Sequence, residues 1–212
     1  MGTLSPALQG VPRPAAKRLA IRVSGDALRQ IRGGHPWVFD RAITAMDGRS
    51  VGTDGGVAGD LGVVFDHDRR FAAIGLYDPH SPIRLRILHH GRPTTIDAAF
   101  FVRRLAAAIE RRATLADPTA DQDTPLAGGS IERGDGETNA YRLVHGENDG
   151  FPGLVLDRYA STLVLKLYTT AWLPHLHDLA PAIDAALAPR RLLVRFSRDA
   201  AGIRNIAQQP QL

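Results

Sequence analysis

Residues Tyr141 to Ala160, reading YRLVHGENDGFPGLVLDRYA, restrict the fold more than any other stretch of the chain. Side chains alternate through Tyr141, Leu143 and His145 and again through Leu154, Leu156 and Arg158, with Val144 and Val155 on the opposite faces. That period of two predicts two short strands. Between them, Gly146 to Gly153 holds three glycines, an Asn, an Asp and a Pro. Glycine supplies positive φ, Asn and Asp bond back to the backbone and Pro fixes φ, so the segment is a shaped corner and not a slack loop. Spacing alone also reads as an ordinary hairpin connection.

With 212 residues and 44% hydrophobic content, the chain can build one large domain or two small ones with real cores. It has no long apolar run, and MGTLSPALQGVPRPAAK lacks the charged start and apolar centre of a secretory signal. A folded cytoplasmic protein without a membrane partner is therefore expected. Basic groups exceed acidic ones by 26 to 22, and residues 1–50 alone hold 8 basic and 3 acidic groups. A basic amino-terminal region suits a polyanion, because neutralised phosphates supply most sequence-independent affinity for nucleic acid. Cysteine is absent, which excludes disulfides, thiolate metal sites and a cysteine nucleophile from these residues. The eight histidines are scattered and form no metal-ligand spacing, and no nucleophile, base and orienting group come together, so a self-sufficient hydrolase is disfavoured.

Residues 1–16 are small and Pro-containing without period, and read as a disordered leader. Lys17 to Val23 alternates as a half-buried strand, and Ser24-Gly25-Asp26 turns it into a short helix over Ala27 to Arg32, closed by Gly33-Gly34. His35, ahead of Pro36, reads as an extended capping or packing residue. Asp47 to Asp60 is glycine-rich, yet no Lys-Ser/Thr or helix follows it, so it reads as a surface loop and not a phosphate cradle. Leu61–Phe65 and Phe71–Tyr77 read as strands, and so does the segment from Ile83, on which Ile83, Leu85 and Ile87 face one way and Arg84, Arg86 and Leu88 the other. Arg84 and Arg86 would then lie on one exposed face about 7 Å apart, close to a phosphate repeat.

From Thr94 to Arg112 the period becomes helical, with Arg103, Arg104 and Arg111 outward. Residues 115–139 have no apolar period and read as a flexible excursion. Thr162–Tyr168 and Leu192–Phe196 read as strands flanking a helix whose start is ambiguous. Pro181 suits a first turn capped by Asp178 but would kink a helix begun at Pro174.

HGENDGFPGLVLDRYA resembles the GExDGLPGLxVDRYG signature of bacterial class I S-adenosylmethionine-dependent methyltransferases acting on cytosine C5 of 23S ribosomal RNA. Gly25, Leu28 and the run GHPWVF resemble the opening of that family's PUA domain. GLYDPHSPIRLRIL and TIDAAFFVRRL resemble the end of that domain and the helix that follows. The resemblance implies an α+β chain. An N-terminal PUA-like β pseudobarrel (17–90) binds RNA, and a small α/β strand-helix-strands domain (91–205) follows it. Ser197 to Arg204 resembles the family's connecting segment, after which Asn205 to Gln208 depart from it. The Rossmann-type methyltransferase domain is therefore expected to be absent, with 206–212 a truncated tail.

The resemblance further implies 23S ribosomal RNA and the missing catalytic domain as partners, a possible homodimer, and S-adenosylmethionine as cofactor of the full-length family but not of this chain. Candidate RNA contacts are Lys17, Arg18, Arg29, Arg41, Arg84 and Arg86, with Trp37 either a pocket-lining aromatic or a base-stacking one. Glu147, Asn148, Asp149 and Phe151 are the candidate interdomain residues, expected on a patch that faces the missing domain or, in a different reading, a protein partner. No catalytic, cofactor-binding or metal residue is expected.

Overall fold

The computed structural model describes residues 8, 10–16, 18–47, 55–113 and 139–197. The first sheet is built from β1 (Arg18–Val23), β2 (Trp37–Phe39), β3 (Ile43–Met46), β4 (Leu61–Phe65), β5 (Phe71–Tyr77) and β6 (Ile83–His90), in the order β2-β6-β5-β4-β1-β3. Only β1 and β4 run parallel. Between β1 and β2 lies helix α1 (Gly25–Arg32), whose first turn is capped by the Ser24 hydroxyl accepting from the Ala27 N–H at 3.3 Å. Leu28 and Ile31 of α1 close one face of this sheet over Leu19, Ile21, Val38 and Leu85.

The opposite face is not solvated. Leu61, Val63, Ile74, Leu76 and Leu88 pack in a single core with helix α2 (Ala98–Glu110) and the second half of the chain. That half contains β7 (Ala140–His145), a 3-10 turn (Gly146–Asp149), β8 (Leu154–Tyr159) and β9 (Thr162–Leu167). A second 3-10 turn (Thr170–His175) then runs into α3 (Leu176–Leu187), and β10 (Arg191–Phe196) follows. The second sheet has the order β10-β9-β8-β7, with β9 and β10 parallel across the α3 crossover and the other pairs antiparallel. Phe100, Phe101 and Leu105 of α2 and Leu179 and Ile183 of α3 bury one face of it, so the second unit is a two-layer α/β structure.

Several details differ from the sequence reading. The β7 register shifts between Arg142 and Val144, a bulge that turns both Leu143 and Val144 into the core, each 1% exposed, and breaks the strict alternation. Helix α3 starts at Leu176, continuing from the 3-10 turn, and Pro181 sits inside it on an exposed side where water can satisfy the carbonyl it frees. In the expected leader, Leu8 and Val11 pack against the larger core, and the Val11 carbonyl lies 3.0 Å from His177 Nε2. Apolar contact and that bond order a stretch whose composition carries no period. Lys17, almost all of the 115–139 excursion and residues 198–212 fall outside the described residues.

Candidate nucleic-acid interface

The glycine-rich corner is the latch between the two sheets. Glu147 Oε1 accepts from Trp37 Nε1 at 2.9 Å and from the Gly153 N–H at 3.1 Å, so one carboxylate ties β2 to the start of β8. Gly150, with φ of +74°, ends the 3-10 turn in the left-handed region that a side chain would strain. Its carbonyl accepts from Arg104 Nη1, which also reaches the Leu88 carbonyl and so joins α2, β6 and the corner. Burial holds the Arg104 guanidinium below its ordinary pKa.

Beneath this latch lies a buried charged group. Arg86 is 6% exposed; its guanidinium donates to the Ile83 carbonyl at 2.9 Å and to Ser81 Oγ at 3.2 Å, and lies 3.8 Å from Asp78 Oδ2. Thr169 donates its hydroxyl to the same Asp78 oxygen at 2.5 Å, across from the second sheet. Burial lowers the Arg86 pKa while Asp78 and Glu147 act against that shift. Such a group contributes fixed geometry more than stability, because desolvating both charges offsets most of their attraction.

Four expectations are thereby corrected. Arg86 is an interior strut and not a phosphate contact, because the β6 face it shares with Leu88 is covered by the second unit. Arg84 is half-buried, its Nη1 turned onto the Pro79 and Asp78 carbonyls, so it closes the β5–β6 turn. Phe151 is fully buried and stacks 6.4 Å from Phe101, while Asp149 is 5% exposed beneath Arg111 and Arg112, so neither belongs to an exposed patch. Arg104 and Arg111 are spent on the corner and do not form an outer stripe of α2. Of the remaining candidates, Arg18, Arg29 and Arg41 are exposed, Arg29 pairs with Asp26 at 2.7 Å, and Asn148 is exposed at the corner. Arg18 opens β1, whereas Arg41 lies in the turn just before β3, whose Ile43 pairs with Val23, so the two arginines stand toward opposite ends of β1.

Two grooves flank the Glu147–Trp37 latch. One, of about 480 Å³, is lined by His89, His90, Arg104, Arg111 and Asn148. Burial, reinforced by the nearby Arg104 charge, pushes the His89 imidazole below its ordinary pKa, which keeps it neutral near pH 7. The other, of about 330 Å³, runs between Trp37 and Tyr168 over Val155, with Arg142 and His145 on its rim. Sequence reasoning passed over Tyr168 because a strand-end aromatic has no local signal; only the pairing of β8 with β9 brings it beside Trp37. Among the described residues no cluster of three or more acidic, His or Cys side chains could hold a metal ion, and no helix is long and apolar enough to cross a membrane.

A half-barrel sheet with a short helix over one face and a second unit on the other defines the class: residues 21–90 match the PUA-like domain family. The chain is also homologous to large-subunit ribosomal RNA methyltransferases. It is 44% identical over 190 residues to the ribosomal RNA large subunit methyltransferase of Deinococcus radiodurans, covering 90% of this chain and 42% of that protein. With ribosomal RNA large subunit methyltransferase I of Alteromonas mediterranea it shares 32% identity over 155 residues, 73% of this chain and 33% of the relative. The chain thus spans less than half the length of these relatives. A solved structure from Streptococcus mutans, described as a SAM-dependent methyltransferase, superposes with a TM-score of 0.60 at 12% identity, over 83% of this chain and 40% of the other, which shows a shared fold. A second, described as a methyltransferase complexed with SAH, gives the same TM-score of 0.60 over 84% of this chain and 40% of the other.

Proposed function

We propose that this chain is the RNA-binding and positioning portion of an S-adenosylmethionine-dependent ribosomal RNA (cytosine-C5) methyltransferase that acts on 23S RNA in the cytoplasm, with the chemistry carried by a further catalytic domain. The observation that carries this reading is the shared core. The PUA-like sheet and the α/β unit are held in one geometry by apolar packing, the Glu147–Trp37 bond and the Asp78–Thr169 bond, and the match to the Deinococcus protein runs through both. A rigid platform of this kind converts RNA binding into orientation of a target base.

The residues in hand do not fit the chemical step. Methylation at C5 uses a nucleophile that adds to C6, cysteine thiolate being the usual choice, and none of the 212 residues is a cysteine. Nor do they fit the methyl donor. Among the described residues there are three strand-to-helix connections: β1 to α1 is Ser24 alone, and β6 to α2 and β9 to α3 contain between them a single glycine, Gly91, so none makes a glycine-rich cradle for a cofactor's polar groups. S-adenosylmethionine is accordingly assigned to the catalytic domain.

The test is binding of the chain to a folded 23S RNA fragment across a salt series. With Lys17, Arg18, Arg29 and Arg41 each neutralising a phosphate, log K should fall against log salt with a slope of about −3. A flat response, or no binding, would overturn the reading.

A further inference from the structure

Among the described residues the second sheet has helices on one face only and its other face is uncovered, and the strand registers define what it presents. Arg195 pairs with Lys166, Lys166 with Val155, and Val155 with His145, so these four side chains form one row across β10, β9, β8 and β7. Val155 is the apolar floor of that row, 7% exposed. Just past the end of β9, Tyr168 continues the same face at 44% exposure, with the Lys166 ammonium 4.7 Å over its ring. Beyond Tyr168 the row opens into the 330 Å³ groove whose far wall is the half-buried Trp37 of the first sheet.

The two acidic groups nearest this row are already engaged. Asp157 receives Arg142 Nε at 2.7 Å, and Glu147 receives the Trp37 indole and the Gly153 N–H. What remains toward solvent is cationic at one end, Arg195 and Lys166, with the exposed Leu193 beside Arg195 on β10, and aromatic at the other, Tyr168 and the half-buried Trp37. Cations at one end of a sheet face and an exposed tyrosine ring beside a groove at the other suit a polyanion with flat, stackable bases. A folded protein partner would call for a more continuous apolar patch.

We propose that this face, from Arg195 through Lys166 and Tyr168 to the Trp37 groove, is a binding platform for single-stranded RNA. Phosphates sit at the cationic end and a base stacks on Tyr168 at the mouth of the groove. The proposal rests on the RNA-binding reading above and adds a second, single-strand-specific surface in the unit that follows the PUA-like sheet.

Binding of a short unstructured oligoribonucleotide to the full chain, followed by its tryptophan emission, tests it. The chain has two tryptophans, and Trp172 is fully buried, so quenching on binding reports Trp37. Tyr168→Ala should weaken oligonucleotide binding roughly 5- to 150-fold, the range of one lost base–aromatic stack, while Tyr168→Phe keeps the ring and binds like the parent. The paired substitution Lys166→Ala and Arg195→Ala should flatten the salt dependence of oligonucleotide binding. Tyr168 is exposed, so an unchanged thermal melt separates loss of binding from loss of fold. Unchanged oligonucleotide affinity in Tyr168→Ala, with folded 23S RNA still bound, overturns this proposal and leaves the broader reading standing. Altered self-association in that variant without altered RNA affinity overturns it in favour of a protein-docking face. Failure of the parent chain to bind either RNA overturns both.

Discussion

Asp149 gathers the backbone N–H of His145 at 2.6 Å, Arg111 at 2.6 Å and Arg112 at 2.7 Å onto one carboxylate that is 5% exposed. Burial by itself would raise this carboxyl, but the three donors outweigh it and hold the group below the ordinary value of 3.8. Its folded pKa is therefore depressed. The stabilisation is complete above about pH 4 and is lost as pH falls below that toward the folded value. Asp149→Asn keeps the volume but turns an amide N–H₂ toward guanidinium donors, and should cost on the order of 3 kcal/mol at neutral pH. Urea unfolding of the parent and the variant at pH 7 and at pH 3 checks this: the difference between them should shrink at the lower pH. An equal difference at both would show that Asp149 acts through packing alone.

At the scale of elements, β5 and β6 approach as closely as backbone allows. A Cβ built on Gly75 would lie 2.3 Å from the Arg86 carbonyl oxygen and 2.7 Å from its carbon, both main-chain atoms that cannot rotate away. Gly75→Ala should force the strands apart at the register shift beside Ile74 and destabilise by about 1–3 kcal/mol, read as a lowered urea midpoint. An unchanged midpoint would mean that β5 slides without loss. The strands themselves were legible, since β1, β4, β5, β9 and the corner between β7 and β8 each carry the expected period or turn residues. Period cannot reveal what covers a face. Alternation placed Arg84 and Arg86 opposite Leu85, correctly, but whether that face meets water or another layer depends on pairings more than sixty residues away, such as Asp78 with Thr169. The same limit hid Tyr168 and the bond by which Glu147 meets Trp37 across the seam between the two sheets. The bulge in β7 escapes as well, because a register shift between Arg142 and Val144 leaves no mark in a pattern read as strict alternation.

For the whole molecule, the boundary between the two units runs through a core and not around one. Leu61, Val63, Ile74, Leu76 and Leu88 of the first sheet bury against the same cluster as Phe101, Phe151 and Trp172. Neither side can leave without exposing the other's apolar face, so the unit that unfolds is the pair. In a Trp37→Phe background, emission reports Trp172 alone, which packs 5.8 Å from Phe101 and 6.1 Å from Phe151 in the second unit. That substitution removes one hydrogen bond to Glu147, worth about 1 kcal/mol, and leaves the shared core intact. Amide exchange at Ile21 and Val64, both fully buried in the first sheet, reports the other unit. The two probes should lose their native signals at one urea midpoint. Loss of protection at Ile21 and Val64 well before the Trp172 transition would mean that the PUA-like sheet opens on its own. The fixed geometry on which positioning of an RNA depends would then be absent in the free protein and would have to be made by the RNA.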